Sequence, residues 1–167
     1  MSYVVQVDKP AAAVYQDFTT IGYWEDLVEF YRGHSLATEI TRFNTDSGGT
    51  DISFTHTLSA QDLPQIARPV VPSSFTVTRH QHFAPLDHEI GRAAGHYSAL
   101  VPVAPVEISG EYVLCDTTRG SQLELQTVCR VKVPIIGGQI EQLVLNGLRT
   151  LFSTEGEFTT EWVAGHQ

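Results

Sequence analysis

Positive charge, cysteine and long apolar runs are all scarce in this sequence. Of 167 residues only two are lysine, Lys9 and Lys132, and acidic residues outnumber lysine plus arginine by 19 to 10, a formal net charge of −9. Nucleic acid and anionic membrane surfaces select for positive charge, so neither is expected as a partner. The surplus of carboxylates serves solubility. No apolar run approaches the roughly 20 residues that a membrane-crossing helix needs, so no integral membrane association is expected. The opening Met1-Ser2-Tyr3-Val4-Val5-Gln6-Val7-Asp8 has neither the basic start nor the apolar core of a secretory signal. A cytoplasmic protein is expected.

Cysteine is limited to Cys115 and Cys129, one in each strand of a hairpin whose turn lies near Thr118-Arg119. If Thr117 pairs with Gly120, Cys115 faces Gln122 and Cys129 faces Ile108. The two sulfurs are then about 20 Å apart along the ladder and on opposite faces. A disulfide needs Cα atoms within about 7 Å, so both thiols are expected to be free, which suits a reducing compartment. Catalytic signatures are missing too: there is no HExxH helix, GxSxG elbow or Ser-His-Asp spacing. No catalytic residue, metal ligand or cofactor is assigned.

What is present fits a single domain over 1–167, long enough to bury a core without staples. A strand is expected over 2–7, followed by Asp8-Lys9-Pro10 as a helix start with Asp8 at the N-cap. Short helices are expected over 11–19 and 23–31, separated at Gly22. The pattern then switches to period two, with strands over 34–44, 51–58, 74–83, 88–101, 106–116 and 121–133. Pro134 cannot continue a ladder. One long helix follows over 135–164, with Ile136, Ile140, Leu143, Gly147, Leu151, Phe158 and Trp162 along its apolar stripe and Val144, Leu148 and Phe152 widening it. The order predicts an α+β domain: a curved antiparallel sheet of about six to seven strands wrapped on the C-terminal helix, with two short helices after the first strand. Gly91, Gly95 and Gly110 are candidates for the curvature.

Three stretches carry a resemblance. They are Asp8-Lys9-Pro10-Ala11 through Val14-Tyr15, Asp62-Leu63-Pro64 ahead of Pro72, and Val131-Lys132-Val133-Pro134-Ile135-Ile136-Gly137-Gly138 leading to Glu157-Phe158-Thr159-Thr160-Glu161-Trp162. Together they resemble the START-like (SRPBCC) superfamily. Its helix-grip fold is shared by birch-pollen-type allergens and polyketide cyclases. The likeness is to an actinobacterial domain family of unknown function. It implies a hydrophobic cavity between helix and sheet, and brings no catalytic residues.

Two constellations have plain explanations. Gly137-Gly138 lacks the Lys-Ser/Thr of a phosphate loop and fits a helix starting close to the strand it leaves. The histidines His80, His82, His88 and His96 lack a recognisable ligand spacing and are expected at the surface, while Phe75, Val77, Arg79, Gln81 and Phe83 are expected to face in. The inward polar residues are more informative, because a buried polar group needs a partner. Alternation turns Phe54, His56, Arg79, Tyr112 and Thr127 inward, with Tyr97 beside them. With Leu143, Gly147 and Leu151 above, these nine residues are the candidate ligand-binding set. Within it His56, Arg79 and Tyr112 would orient a polar or anionic end; the alternative is that Arg79 snorkels to the sheet edge and His56 is a satisfied core residue. The leading expectation is a binding or carrier protein for a small hydrophobic molecule, lipid-like or aromatic, rather than an enzyme. The alternative is a cyclase- or hydratase-like enzyme using the same pocket. Oligomeric state and ligand identity are not legible in the sequence.

Overall fold

The computed structural model describes residues 1–166. The chain runs β1 (Ser2–Val7), α1 (Ala11–Phe18), α2 (Ile21–Gly33), β2 (Ala37–Asp46), β3 (Gly49–Ser59), β4 (Ser74–Phe83), β5 (Arg92–Leu100), β6 (Val106–Thr117), β7 (Gly120–Val131) and α3 (Gly137–Gly165). All seven strands form one antiparallel sheet in the order β1-β7-β6-β5-β4-β3-β2. Two 3₁₀ turns, Ala60–Asp62 and Arg68–Val70, cross from β3 to β4. This is the helix-grip fold.

The β6–β7 register follows the expected one: Thr117 pairs with Gly120, Cys115 with Gln122 and Ile108 with Cys129. Both cysteines are free. On β4 the alternation holds as well, with Phe75, Arg79, Gln81 and Phe83 buried and His80 on the exposed face. No helix among the described residues is long and apolar enough to cross a membrane.

Several boundaries differ for identifiable reasons. Asp8 does not cap α1, whose N-cap is Pro10. The first helical N–H, at Ala11, is instead met by Asp116 Oδ1 on β6 at 2.6 Å. Gly22 does not separate the two helices but lies in the first turn of α2. The break falls at Thr19 and Thr20, whose hydroxyls both donate to Gln16 O at 2.8 and 2.9 Å and so close α1. β5 begins at Arg92 rather than residue 88. Asp87 exchanges backbone hydrogen bonds with Arg92, and its carboxylate accepts the N–H of Glu89 at 2.9 Å, which turns residues 88–91 back on themselves.

The helix phase is the larger correction. α3 has 29 residues, roughly 43 Å at the usual rise. Its buried residues are Gly137, Ile140, Phe152, Gly156, Thr159 and Val163. Beyond Ile140 the two stripes share only Phe152, which the expected face carries at its margin. Gly147 is exposed, with nothing within 4 Å of where a Cβ would stand. Phe158 and Trp162 turn toward α2 instead of the sheet: Phe158 packs on Phe30 at 5.2 Å, and the Trp162 indole donates to Asp26 at 2.9 Å. Gly156 is the glycine that close packing requires, since its Cβ would stand 2.9 Å from Val5 Cγ1.

The two glycines should therefore respond oppositely to alanine. Gly156→Ala should destabilise by about 1–3 kcal/mol through overpacking against Val5. Gly147→Ala should stabilise by about 0.5–1 kcal/mol, since a solvent-facing helical glycine carries only its backbone entropy. Urea denaturation of both variants checks the pair; equal effects would mean that α3 is rotated from the described phase.

Candidate functional site

The interior between sheet and helices is not quite filled. A cavity of about 40 Å³ remains, walled by β1 and β4–β7 on one side and by α1, α2 and the C-terminal half of α3 on the other. Phe18, Trp24, Phe83 and Phe152 supply much of the apolar wall.

Two glycines make room for the tyrosines of the sheet. Tyr97 stands opposite Gly110 and Tyr112 opposite Gly95 in the β5–β6 ladder. A Cβ on Gly110 would meet the Tyr97 ring at 2.3 Å, and one on Gly95 the Tyr112 ring at 2.0 Å. Each ring thus lies flat across the strand opposite. The two stack nearly parallel, with centroids 5.8 Å apart. Tyr97 hydrogen-bonds Thr127 Oγ1, and Tyr112 donates to His82 O at 3.0 Å. Burial pushes both phenols above their ordinary pKa.

The charged part of the lining is one ion pair. Arg79 of β4 makes a two-pronged contact with Glu155 of α3, with Nη2 to Oε2 at 3.0 Å and Nη1 to Oε1. Tyr31 of α2 joins it by donating to Glu155 Oε1, while Arg79 Nη1 donates to the Tyr31 hydroxyl at 3.3 Å. Burial alone would lower the Arg79 pKa, but Glu155 and Tyr31 outweigh it and hold the guanidinium above its usual value. Burial first, and the Glu155 charge second, push the Tyr31 phenol well above its usual value. A sheet strand and two helices are therefore tied together at one buried point. Arg79 does not snorkel to the sheet edge.

His56 lies outside the lining of this cavity. Its Nδ1 is 2.9 Å from Thr38 Oγ1. The Thr38 hydroxyl donates to Leu36 O at 3.1 Å, so the ring's Nδ1–H is the donor to Thr38. Nε2 is buried without a protein partner. Burial, then the Arg79 charge, pull the imidazole pKa down to about 4, which keeps the ring neutral.

Of the candidate set, Arg79, Tyr97 and Tyr112 line the cavity. Phe54 is buried one layer away against Trp24, at 5.6 Å, and Thr127 acts through its bond to Tyr97. Leu143 and Leu151 are half-buried and Gly147 faces solvent; none of the three lines the cavity. The α3 residues at the cavity are Phe152, Glu155, Gly156 and Thr159. Phe152 lies at the margin of the expected stripe, and phasing the helix on it rather than on Leu151 brings in Glu155, Gly156 and Thr159. On the outer face His82 pairs with Asp51 at 2.9 Å and His80 with Ser53 at 2.8 Å. Among the described residues no three metal-ligating side chains converge. Gly137 starts α3 where a Cβ would stand 2.5 Å from Val131 O, the close approach expected of it.

Three comparisons place the chain. A family described as "Protein of unknown function (DUF2505)" matches residues 2–163. An uncharacterised protein of Mycobacterium tuberculosis is 27% identical over 158 residues, covering 92% of this chain and 90% of that one. Among solved structures, TTHA0849 from Thermus thermophilus is similar with a TM-score of 0.58 at 13% identity, covering 100% of this chain and 97% of that one. Norcoclaurine synthase from Thalictrum flavum, solved with dopamine and hydroxybenzaldehyde, gives a TM-score of 0.56 at 14% identity, covering 100% of this chain and 87% of that one. At such identities the structural likeness speaks for the fold alone. With the family match running through nearly the whole chain, this helix-grip protein belongs to the DUF2505 family.

Proposed function

We propose that the chain binds a small, largely apolar molecule, lipid-like or aromatic, between its sheet and α3, and acts as a binding or carrier protein. The supporting observation is the unfilled space under α3, where aromatic walls meet a few polar groups. Small-molecule sites share that composition but run to about 300–1,000 Å³. At about 40 Å³ the cavity is a closed form, and a ligand enters by displacing α3 or swinging Phe152. The middle of α3 suits such a displacement: Leu143, Leu145, Leu148 and Leu151 are all only half-buried. An enzyme of the cyclase or hydratase type would need an acid–base pair within reach of the ligand. Tyr112 is committed to a backbone carbonyl and His56 lies outside the lining, so these observations favour binding.

Native mass spectrometry of the protein purified from its own host tests this reading. A copurified apolar molecule that protects the protein against thermal unfolding is expected. Its absence across several preparations would favour a solidly packed domain that works through protein contacts.

A further inference from the structure

The lining's polar atoms are unequal. Tyr23 is bonded to Thr159 at 2.8 Å, Trp24 donates to Phe18 O at 2.9 Å, and Tyr97 and Tyr112 are engaged as described. Arg79 and Glu155, the two charged residues of the lining, are spent on each other. Gln81 differs. It is 6% exposed, points inward from β4 at the cavity, and its amide nitrogen has no hydrogen-bond partner in the protein.

From these observations we infer that Gln81 is the polar anchor of the site and that the ligand is a neutral molecule carrying one oxygen acceptor, a hydroxyl or carbonyl, on an apolar skeleton. This rests on the ligand-binding reading above and narrows it. A buried donor without an acceptor is costly, and a ligand oxygen removes that cost on binding. The charge balance sets the neutrality. Arg79 is already neutralised by a bidentate carboxylate, so an anionic ligand would either bury an uncompensated charge or have to expel Glu155. Arg79 therefore serves as a tie between sheet and helix, not as the anion receptor that its inward direction suggested. The aromatic walls take the skeleton, and Gln81 fixes which end enters first.

Three aromatic probes of one skeleton separate the possibilities: naphthalene, 2-naphthol and 2-naphthoate, each titrated into the full chain and followed by amide NMR shifts of cavity residues. 2-Naphthol should bind about fivefold more tightly than naphthalene, and 2-naphthoate about tenfold more weakly than 2-naphthol. In Gln81→Met, which keeps the volume and removes the amide, the naphthol-to-naphthalene ratio should fall to about one. The unliganded Gln81→Met protein should melt no lower than the natural chain, because it loses an unpaired buried donor. Tightest binding by 2-naphthoate, an undiminished naphthol preference in Gln81→Met, or a clearly lower melting temperature would overturn the inference while leaving ligand binding intact. If none of the three probes shifts the cavity amides, the binding reading falls and takes this inference with it.

Discussion

Arg79→Met should destabilise the fold by about 3–5 kcal/mol, the cost of leaving a buried charge without its partner. The residue left behind is Glu155, held inside by α3 and within hydrogen-bond reach of Tyr31. Glu155→Leu should cost a similar amount, because it strands the guanidinium of an 8% exposed arginine. The double variant Arg79→Met/Glu155→Leu should lose much less than the sum, since both charges leave together and apolar side chains of similar length fill the space. Urea denaturation of all four proteins gives the coupling directly. A loss below about 1 kcal/mol in both single variants would place the pair in the class of solvated surface bridges, and its role in tying α3 to the sheet would be untenable.

Stability should also fall steeply in mild acid, with His56 as a named source. Its folded pKa, about 4, lies below the ordinary 6.5. For a base, that means the unfolded chain binds the proton more readily. The His56 contribution is therefore fully present above about pH 6.5 and is lost as the pH drops toward 4. The gap corresponds to roughly 3 kcal/mol at about 1.4 kcal/mol per pKa unit. The cause is burial first and the Arg79 charge second. The ring is buried between Phe54 and Tyr31, its Nε2 has no protein acceptor to take a second proton, and the Arg79 charge opposes protonation. His56→Gln should flatten the stability profile between pH 4 and 6.5 relative to the natural chain, whatever it does to stability at pH 7. Parallel profiles for the two proteins would remove His56 from the account.

The β-structure was legible because its signals are local. Alternation on β4 alone turns Arg79 and Gln81 inward, and the Thr117–Gly120 turn sets the whole β6–β7 register. Pairing follows from a two-residue period, and a turn pins it. The helix phase was less legible for an equally physical reason. The buried stripe of α3 contains Gly156, packed on Val5 of β1, and Thr159, bonded to Tyr23 of α2, neither of which is a large apolar residue, while Phe158 and Trp162 satisfy a second partner, α2. A helix packed on two neighbours has two apolar faces, and periodicity alone cannot say which one meets the sheet.

By itself, then, the sequence determined an α+β helix-grip domain, two free thiols and an arginine turned into the interior. Only the tertiary structure decided what that arginine meets. Glu155 is 76 residues away in the chain, and no local pattern links a strand's inward cation to one turn of a distant helix. Packing brought the two together, neutralised the charge, and left Gln81 as the lining's one buried side-chain donor without a protein partner among the described residues.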